Sequence, residues 1–402
     1  MSLFYVDKKL FIGSSPQRST DLFSLAKKCK TPFYVYDLSG MEQEVARLKS
    51  ALGPRGHIHF AVKANSNEKI LTHFAKLGVG ADVVSMGEAI LARRCGFKPE
   101  KIIFSGVAKE RDEIEYAITE GIKQINVESP GELRRVAEIG GKLGLHVPIA
   151  FRLNPNVNPQ THPYITTGFK ENKFGMDESF LPELIAILKA EKKALDLQGV
   201  TLHIGSQLRN NAIFKEAIEK TIPVFRLLQE QGFTMKSFDV GGGIGIDYEQ
   251  GVVDSAQVED YGRMVQRLLG PLHIDILAEP GRVVSACHGV LVCEIQYIKK
   301  TPFKEFAIVN TGMHHLLRPS LYQAFHRILP LIDFDREMKE YDVVGPICES
   351  SDFLAKGRSL KELFADEFLA VAEAGAYGRS MASQYNAHSY PEELVFYQGE
   401  LV

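Results

Sequence analysis

The sequence predicts a (β/α)8 barrel followed by a second, mostly antiparallel β domain. Three observations carry that expectation. Eight short apolar runs alternate with helical patterns up to about Arg282. The turn after the first run, Val62-Lys63-Ala64-Asn65, lacks the glycines of a dinucleotide-binding loop, which disfavours the competing open, doubly wound sheet. After Arg282 the texture changes to strand-like runs with few long helical patterns between them.

In order, the strand-like runs are His57–Val62, Val79–Val84, Lys101–Phe104, Lys123–Val127, Val147–Leu153, Gly199–His203, Lys236–Val240 and His273–Ala278. The helical patterns between them are Glu68–Leu77, Gly87–Cys95, Glu110–Glu120, Pro130–Leu143, Leu181–Lys192, Ala212–Gln231 and Val258–Leu269. Ser129-Pro130-Gly131-Glu132 combines a hydroxyl cap, Pro at the first helical position and a Glu three residues on, and Ser85-Met86-Gly87-Glu88 has the same capping-box spacing. Strands alternating with helices imply right-handed crossovers and a parallel sheet, and eight units within one domain suit a barrel. Later, Val283–Ile298, Glu305–Val309, Tyr341–Gly345, Glu367–Ala372 and Glu393–Tyr397 read as strands of the β domain. An N-terminal run, Phe4–Ile12, is placed to return and complete that sheet. The expected limits are 31–282 for the barrel, and 1–30 with 283–402 for a β-sandwich-like domain.

Composition excludes several classes. A chain of 402 residues needs no disulfide or metal to support its core. A formal charge of −3 gives no reason to expect nucleic acid or anionic lipid as the partner. No run approaches the roughly 18 apolar residues of a membrane helix. The start, Met1 to Lys9, lacks a basic segment followed by a long apolar one, so a cytoplasmic location is expected. The five cysteines are scattered without CxxC pairs, which argues for reduced thiols and against a zinc site.

Barrels gather functional groups at the C-terminal ends of their strands, and here those ends are unusually polar. Lys63 follows the first strand, Asp82 lies near the end of the second, and His203 and Ser206 follow the sixth. Gly241-Gly242-Gly243 follow the seventh, and Glu279-Pro280-Gly281-Arg282 the eighth. Each has a bland reading: a lysine reaching solvent, a satisfied core histidine, a permissive loop, a local ion pair. Together they supply an amine able to form a Schiff base, a glycine, serine and arginine cradle for phosphate, and a carboxylate for a ring nitrogen. Those are the three needs of pyridoxal phosphate.

At this point the chain resembles the alanine-racemase-like fold type of pyridoxal-phosphate enzymes, and within it the diaminopimelate decarboxylase family. The matching segments are Phe60–Asn65, Thr161–Gly168 with Asn172–Gly175, His203–Gln207, Gly241–Gly243, Glu279–Arg282, Leu317–Tyr322, Gly345–Asp352 and Ala374–Gly378. The resemblance implies pyridoxal 5'-phosphate bound covalently to Lys63, with Glu279 at the pyridine nitrogen and His203 stacked on the ring. It also implies Asp82 and Arg152 as supports, and Ser206, Gly242, Gly243, Gly281, Arg282 and Tyr377 around the phosphate. Arg282, Arg318, Tyr322, Glu349 and Tyr377 would bind substrate, and Cys348, or water near it, would return the proton. No metal is implied. The implied reaction is decarboxylation of meso-2,6-diaminopimelate to L-lysine, the last step of lysine formation. The implied partner is a second copy of the chain, in a homodimer with shared active sites to which the β domain contributes.

Two segments depart from the family pattern. Gly312-Met313-His314-His315 stands where Gly-Met-Asn-Asp is usual, and Asn386-Ala387-His388-Ser389-Tyr390 stands where Asn-Ser-Arg-Pro-Arg is common. Arg209, in the loop after Gln207, either reads a carboxylate or faces solvent, and solvent is the default expectation. The competing readings are a decarboxylase for ornithine, arginine or an acyl-linked analogue, a racemase, and a non-catalytic cofactor-binding regulator.

Overall fold

The computed structural model describes residues 3–158 and 173–402. The Thr161–Gly168 segment and Asn172 lie outside them. The chain divides into two units: residues 45–245 with 254–281, and residues 1–44, 246–253 and 282–402.

The first unit is a closed barrel of eight strands among the described residues. Around it run Leu195–Leu202, Ser237–Asp239, Asp275–Ala278, Gly56–Ala61, Gly80–Val83, Ile102–Phe104, Gln124–Val127 and Val147–Leu153, all parallel. The last of these pairs with the first and closes the ring. Every predicted barrel strand is present, and each predicted helix lies within a few residues of its expected place. The strands read as near-continuous apolar runs because both of their faces are covered.

The caps form, with one change. Ser85 and Ser129 each accept a hydrogen bond from the backbone N–H three residues on. The return bond from the glutamate goes one residue further back than a capping box requires. Glu88 accepts from Val84 N–H, and Glu132 accepts from Glu128 N–H. Each glutamate therefore ties the start of its helix to the end of the preceding strand, which sets the geometry of the barrel's functional rim.

The second unit carries a nine-stranded, mostly antiparallel sheet. Its long central strand is Gly289–Lys300, which pairs with Phe33–Asp37, Glu305–Val309 and Phe368–Val371. Three corrections follow. Residues expected to open a strand at Val283 are helical, as Arg282–Ser285 and then Ala286–His288, and extended structure starts at Gly289. The barrel unit begins at Val45, well after the expected residue 31, because strand Phe33–Asp37 belongs to the sheet of the β unit. The N-terminal run does not enter that sheet as a strand. Leu3–Val6, Lys9–Ser15 and Arg18–Asp21 form a separate three-stranded sheet. That small sheet still completes the unit by packing, since Leu3, Leu10 and Ile12 share one apolar cluster with Phe33, Val290, Val292 and Phe396.

Within the barrel unit, helix Ser255–Leu269 passes close to the end of helix Leu38–Leu52. A side chain on Gly262 would place its Cβ 2.4 Å from the Ala51 carbonyl oxygen, a backbone atom that cannot rotate away. Gly262→Ala is expected to destabilise the protein by about 1–3 kcal/mol through overpacking. A urea-denaturation midpoint equal to that of the unmodified protein would contradict this.

Candidate active site

At the C-terminal end of the barrel lies a cavity of about 420 Å³ lined by Lys63, Ser105, Asn126, Arg152, Phe174, Thr201, His203 and Glu279, among others. Lys63 sits in a single 3-10 turn, Val62–Ala64, directly after the first strand. Its Nζ is 2.6 Å from Asp82 Oδ2, and the Asp82 side chain is fully buried. The bland reading of a lysine simply reaching solvent is thus excluded: the amine is held at the cavity by a buried carboxylate.

Glu279 ends the eighth strand. Its Oε1 lies 3.4 Å from both Ser105 Oγ and Asn126 Nδ2, which donate to it. Asn126 is in turn steadied by Gln124, whose Nε2 donates to Asn126 Oδ1 at 2.8 Å. Burial raises the Glu279 pKa well above the usual range, and the charges of Asp239 and Asp82 push it the same way. Asp239 is also raised, chiefly by burial. Asp82 and Glu279 thus both feel the Lys63 amine, while Asp239 is hydrogen-bonded to Glu279 and feels the Lys123 charge.

Desolvation of the half-buried His203 ring, with the nearby Arg152 and Lys63 charges, lowers its pKa far below the usual value. The ring is neutral, and its Nδ1 accepts from Gly242 N–H at 3.3 Å. Arg152 donates to Glu128 at 2.8 Å, and its guanidinium lies 5.0 Å from the centre of the Phe174 ring. Glu128 also accepts from Gly175 N–H.

The glycine run is explained by packing between strand ends. A Cβ on Gly241, Gly242 or Gly243 would fall 2.1, 2.2 or 2.3 Å from the carbonyl oxygens of Leu202, Glu279 and Gly205 respectively. Gly241 and Gly243 also have φ of 68° and 110°. Leu208 N–H donates to Gly243 O, and Gly245 N–H donates back to Leu208 O, so the loop bearing Ser206 is laced to the glycine loop. Gly281 directly follows Pro280, whose carbonyl accepts from Ala61 N–H beside Lys63. Arg209 is exposed, as expected.

The β unit holds a second group. Arg282 donates to Tyr248 Oη at 2.6 Å and lies 4.9 Å from the Tyr377 ring centre. Arg318 lies 4.7 Å from the same Tyr248 ring and donates to His326 Nε2 at 2.9 Å. Tyr377 has φ 55°, a conformation that costs an aromatic residue about 1–3 kcal/mol, so its direction is fixed by its surroundings. Arg318 and Tyr322 bound one short helix, and Ser320 between them donates to Ser351 O at 2.6 Å. That bond ties the helix to the loop of Cys348 and Glu349. Asp352 closes the same loop by accepting from Ile347 N–H and Met313 N–H at 2.7 and 2.6 Å. Cys348 is exposed. Glu349 accepts from Tyr385 Oη and Ser351 Oγ, and these bonds lower its pKa.

The two departures from the family pattern meet in space. The His314 ring centre is 3.6 Å from His315 and 4.5 Å from His388. Sequence reasoning missed Ser105, Asn126, Asp239 and Tyr248. The first three were visible as polar residues at the ends of apolar barrel strands.

The comparisons with known proteins agree with this geometry. The family profile described as "Pyridoxal-dependent decarboxylase, pyridoxal binding domain" matches residues 38–286. The chain is thus a pyridoxal-dependent decarboxylase of the barrel type. It is 39% identical to the diaminopimelate decarboxylase of Aquifex aeolicus over 99% of this chain and 93% of that protein. It is 45% identical to that of Helicobacter pylori over 91% and 90%. A solved Helicobacter pylori diaminopimelate decarboxylase, complexed with L-lysine, superposes with a TM-score of 0.89 at 42% identity, covering 94% of each chain. Within its class, the chain belongs to the diaminopimelate decarboxylase family. No described helix is long and apolar enough to cross a membrane.

The raised pKa of Glu279 has a measurable sign. The folded, cofactor-free protein keeps this proton to a higher pH than the unfolded chain, whose glutamates titrate near about 4.3. The group's contribution to stability therefore falls as pH rises above that value toward its folded pKa. Without cofactor, Glu279→Gln is expected to gain in melting temperature relative to the unmodified protein between about pH 5 and about pH 8. A difference that stays constant over that range would contradict the assignment.

Proposed function

We propose that the protein is a pyridoxal-phosphate-dependent carboxy-lyase that converts meso-2,6-diaminopimelate to L-lysine and carbon dioxide. The observation that carries this reading is one barrel cavity holding a lysine amine on a buried aspartate and, also on its wall, a buried glutamate crowded by like charges. The cavity fits the cofactor. Glu279 and its neighbours Asp82 and Asp239 need a cation that Lys63 alone does not supply, and a protonated pyridine nitrogen answers that need. The relatives named above support the substrate.

When bound, the cofactor supplies an aldehyde that condenses with amines and a protonated ring that accepts the electron pair left by departing carbon dioxide. The chain's own residues do the rest. Lys63 is the attachment point, and Asp82 keeps its amine at the cavity. Glu279 holds the ring nitrogen's proton, with Ser105 and Asn126 fixing the carboxylate. His203, neutral and braced on Gly242, offers a flat uncharged face that does not compete for that proton. Arg152, tied to Glu128, supports the same wall. Ser206, Gly242, Gly243, Gly281, Arg282 and Tyr377 are assigned to the phosphate. Arg282, Arg318, Tyr322, Glu349 and Tyr377 are assigned to the far end of the substrate, where arginine suits a carboxylate and Glu349 suits an ammonium. Cys348 is assigned the proton returned to carbon. Its exposure in a single chain supports a homodimer in which this thiol serves a partner's site. A decarboxylase for a substrate ending in a cation is disfavoured, because that end would meet Arg318.

Lys63→Ala is expected to abolish both the visible absorbance of the purified protein and carbon dioxide release from meso-diaminopimelate. An active, yellow variant would sink the reading. Cys348→Ala is expected to keep the absorbance and lose about 10²–10⁴ in kcat, the range for a positioned proton donor. Mixing the two inactive variants under proven subunit exchange is expected to restore part of the activity through hybrid dimers. No recovery would argue that each site is complete within one chain.

A further inference from the structure

We infer that His326 is a positioning residue that fixes the Arg318 guanidinium as a neutral partner, leaving its charge available to the substrate's far carboxylate. This rests on the role given to Arg318 above and adds the residue that makes that role possible.

His326 is fully buried and both its ring nitrogens are committed. Nε2 lies 2.9 Å from Arg318 Nη1, and Nδ1 lies 2.8 Å from the Ala372 carbonyl oxygen. Arginine can only donate, so Nε2 must accept. A carbonyl can only accept, so Nδ1 carries the proton. The tautomer is dictated by the partners, and a doubly protonated ring would turn an N–H toward an N–H. The ring is further held edge-on to Tyr248, with centres 5.4 Å apart and planes at 73°. The same Tyr248 ring faces the Arg318 guanidinium, and its hydroxyl oxygen accepts a hydrogen bond from Arg282.

The chain therefore spends a histidine, where a carboxylate is the usual partner, on a guanidinium only 5% exposed. A carboxylate would satisfy Arg318 but cancel its charge. An imidazole accepts the hydrogen bond and adds no charge, so the full positive field survives. Burial, with the neighbouring Arg282, lowers the Arg318 pKa to about 10, which still leaves it protonated at neutral pH. Its Nε has no hydrogen-bond partner among the described residues. A buried cation with a spare N–H and a neutral brace is prepared for an incoming anion.

The backbone around this group is equally constrained. Tyr248 lies in the 246–253 stretch, part of the β unit. That stretch turns at Gly251, φ 66°, where a Cβ would fall 1.9 Å from Arg327 Nη2 and 2.5 Å from Glu373 Oε1. Arg327 and Glu373 are ion-paired and directly adjoin His326 and Ala372 in sequence. The segments that supply Tyr248, His326 and the Ala372 carbonyl are thus pinned at one point.

The test uses the holoenzyme with His326→Leu, His326→Glu, His326→Gln and Arg318→Ala. Two competitive inhibitors separate the roles: L-lysine, which keeps the far carboxylate, and 1,5-diaminopentane, which lacks it. His326→Leu and His326→Glu are expected to raise KM for meso-diaminopimelate and the inhibition constant of L-lysine by about tenfold or more, the scale of a hydrogen bond to a charged group. The cofactor absorbance, kcat and the inhibition constant of 1,5-diaminopentane should change little. His326→Gln, which can still place an acceptor near Arg318, should recover most of the L-lysine affinity. If Leu and Glu variants show the unmodified ratio of the two inhibition constants, or if both constants rise together, the inference fails. If Arg318→Ala also leaves that ratio unmoved, the role of Arg318 itself is wrong. If Arg318→Ala shifts the ratio and the His326 variants do not, only the positioning role of His326 is lost.

Discussion

The constraint on which the barrel unit turns is a surplus of buried negative charge. Asp82, Asp239 and Glu279 are all shielded from water, and Lys63 answers only one of them directly. Isolated carboxylates in such a place are expensive, and the cheapest response is to hold a proton. The raised pKa values of Glu279 and Asp239 are that response. On the proposed assignment, a cationic ring at Glu279 would remove the need for it. Cofactor affinity and the electron-accepting power of the ring would then share one cause, since the carboxylate that attracts the ring would also keep its nitrogen protonated.

The β unit shows the opposite economy. Its buried cations, Arg282 and Arg318, are described against phenols and an imidazole. On the proposed assignment, Arg318, braced by an imidazole, keeps its charge for the far end of the substrate. A buried group that lacks its counter-charge marks a binding site more reliably than one that has it. Lys109 makes the contrast. It is buried, but three acceptors at 2.6–2.7 Å, Glu132 among them, satisfy it completely, so it reads as structure.

Most of this was legible in the residues. The eight apolar runs gave the barrel because each strand is covered on both faces, so every run stands out against amphipathic helices. The second unit was harder for a physical reason. Strand Phe33–Asp37 is FYVYD, a run that pairs with strands about 250 and 350 residues away, and nothing local announces those partners. The 246–253 excursion was invisible for the same reason: Tyr248 gains its meaning only from Arg282, Arg318 and His326. Single residues at strand ends were readable where glycine, proline or charge made the segment unusual. Ser105 and Asn126 escaped because a serine or an asparagine after a short apolar run is commonplace.

The histidines that replace the usual family residues show what the remaining arginines must do. His314, His315 and His388 lie within one cluster, and burial with mutual repulsion lowers His314 to about 3 and His315 to about 4. Both are therefore neutral at any ordinary working pH. His315 also meets Thr311 Oγ1 at Nδ1 and the Ser389 carbonyl at Nε2, each at 3.0 Å, and burial outweighs the upward pull of the Ser389 bond. The neutral rings of His314 and His315 bring no positive charge to this cluster. On the proposed assignment, the positive charge for a dicarboxylic substrate would come from Arg282 and Arg318, and Arg318 would keep its charge because the imidazole bracing it carries none of its own.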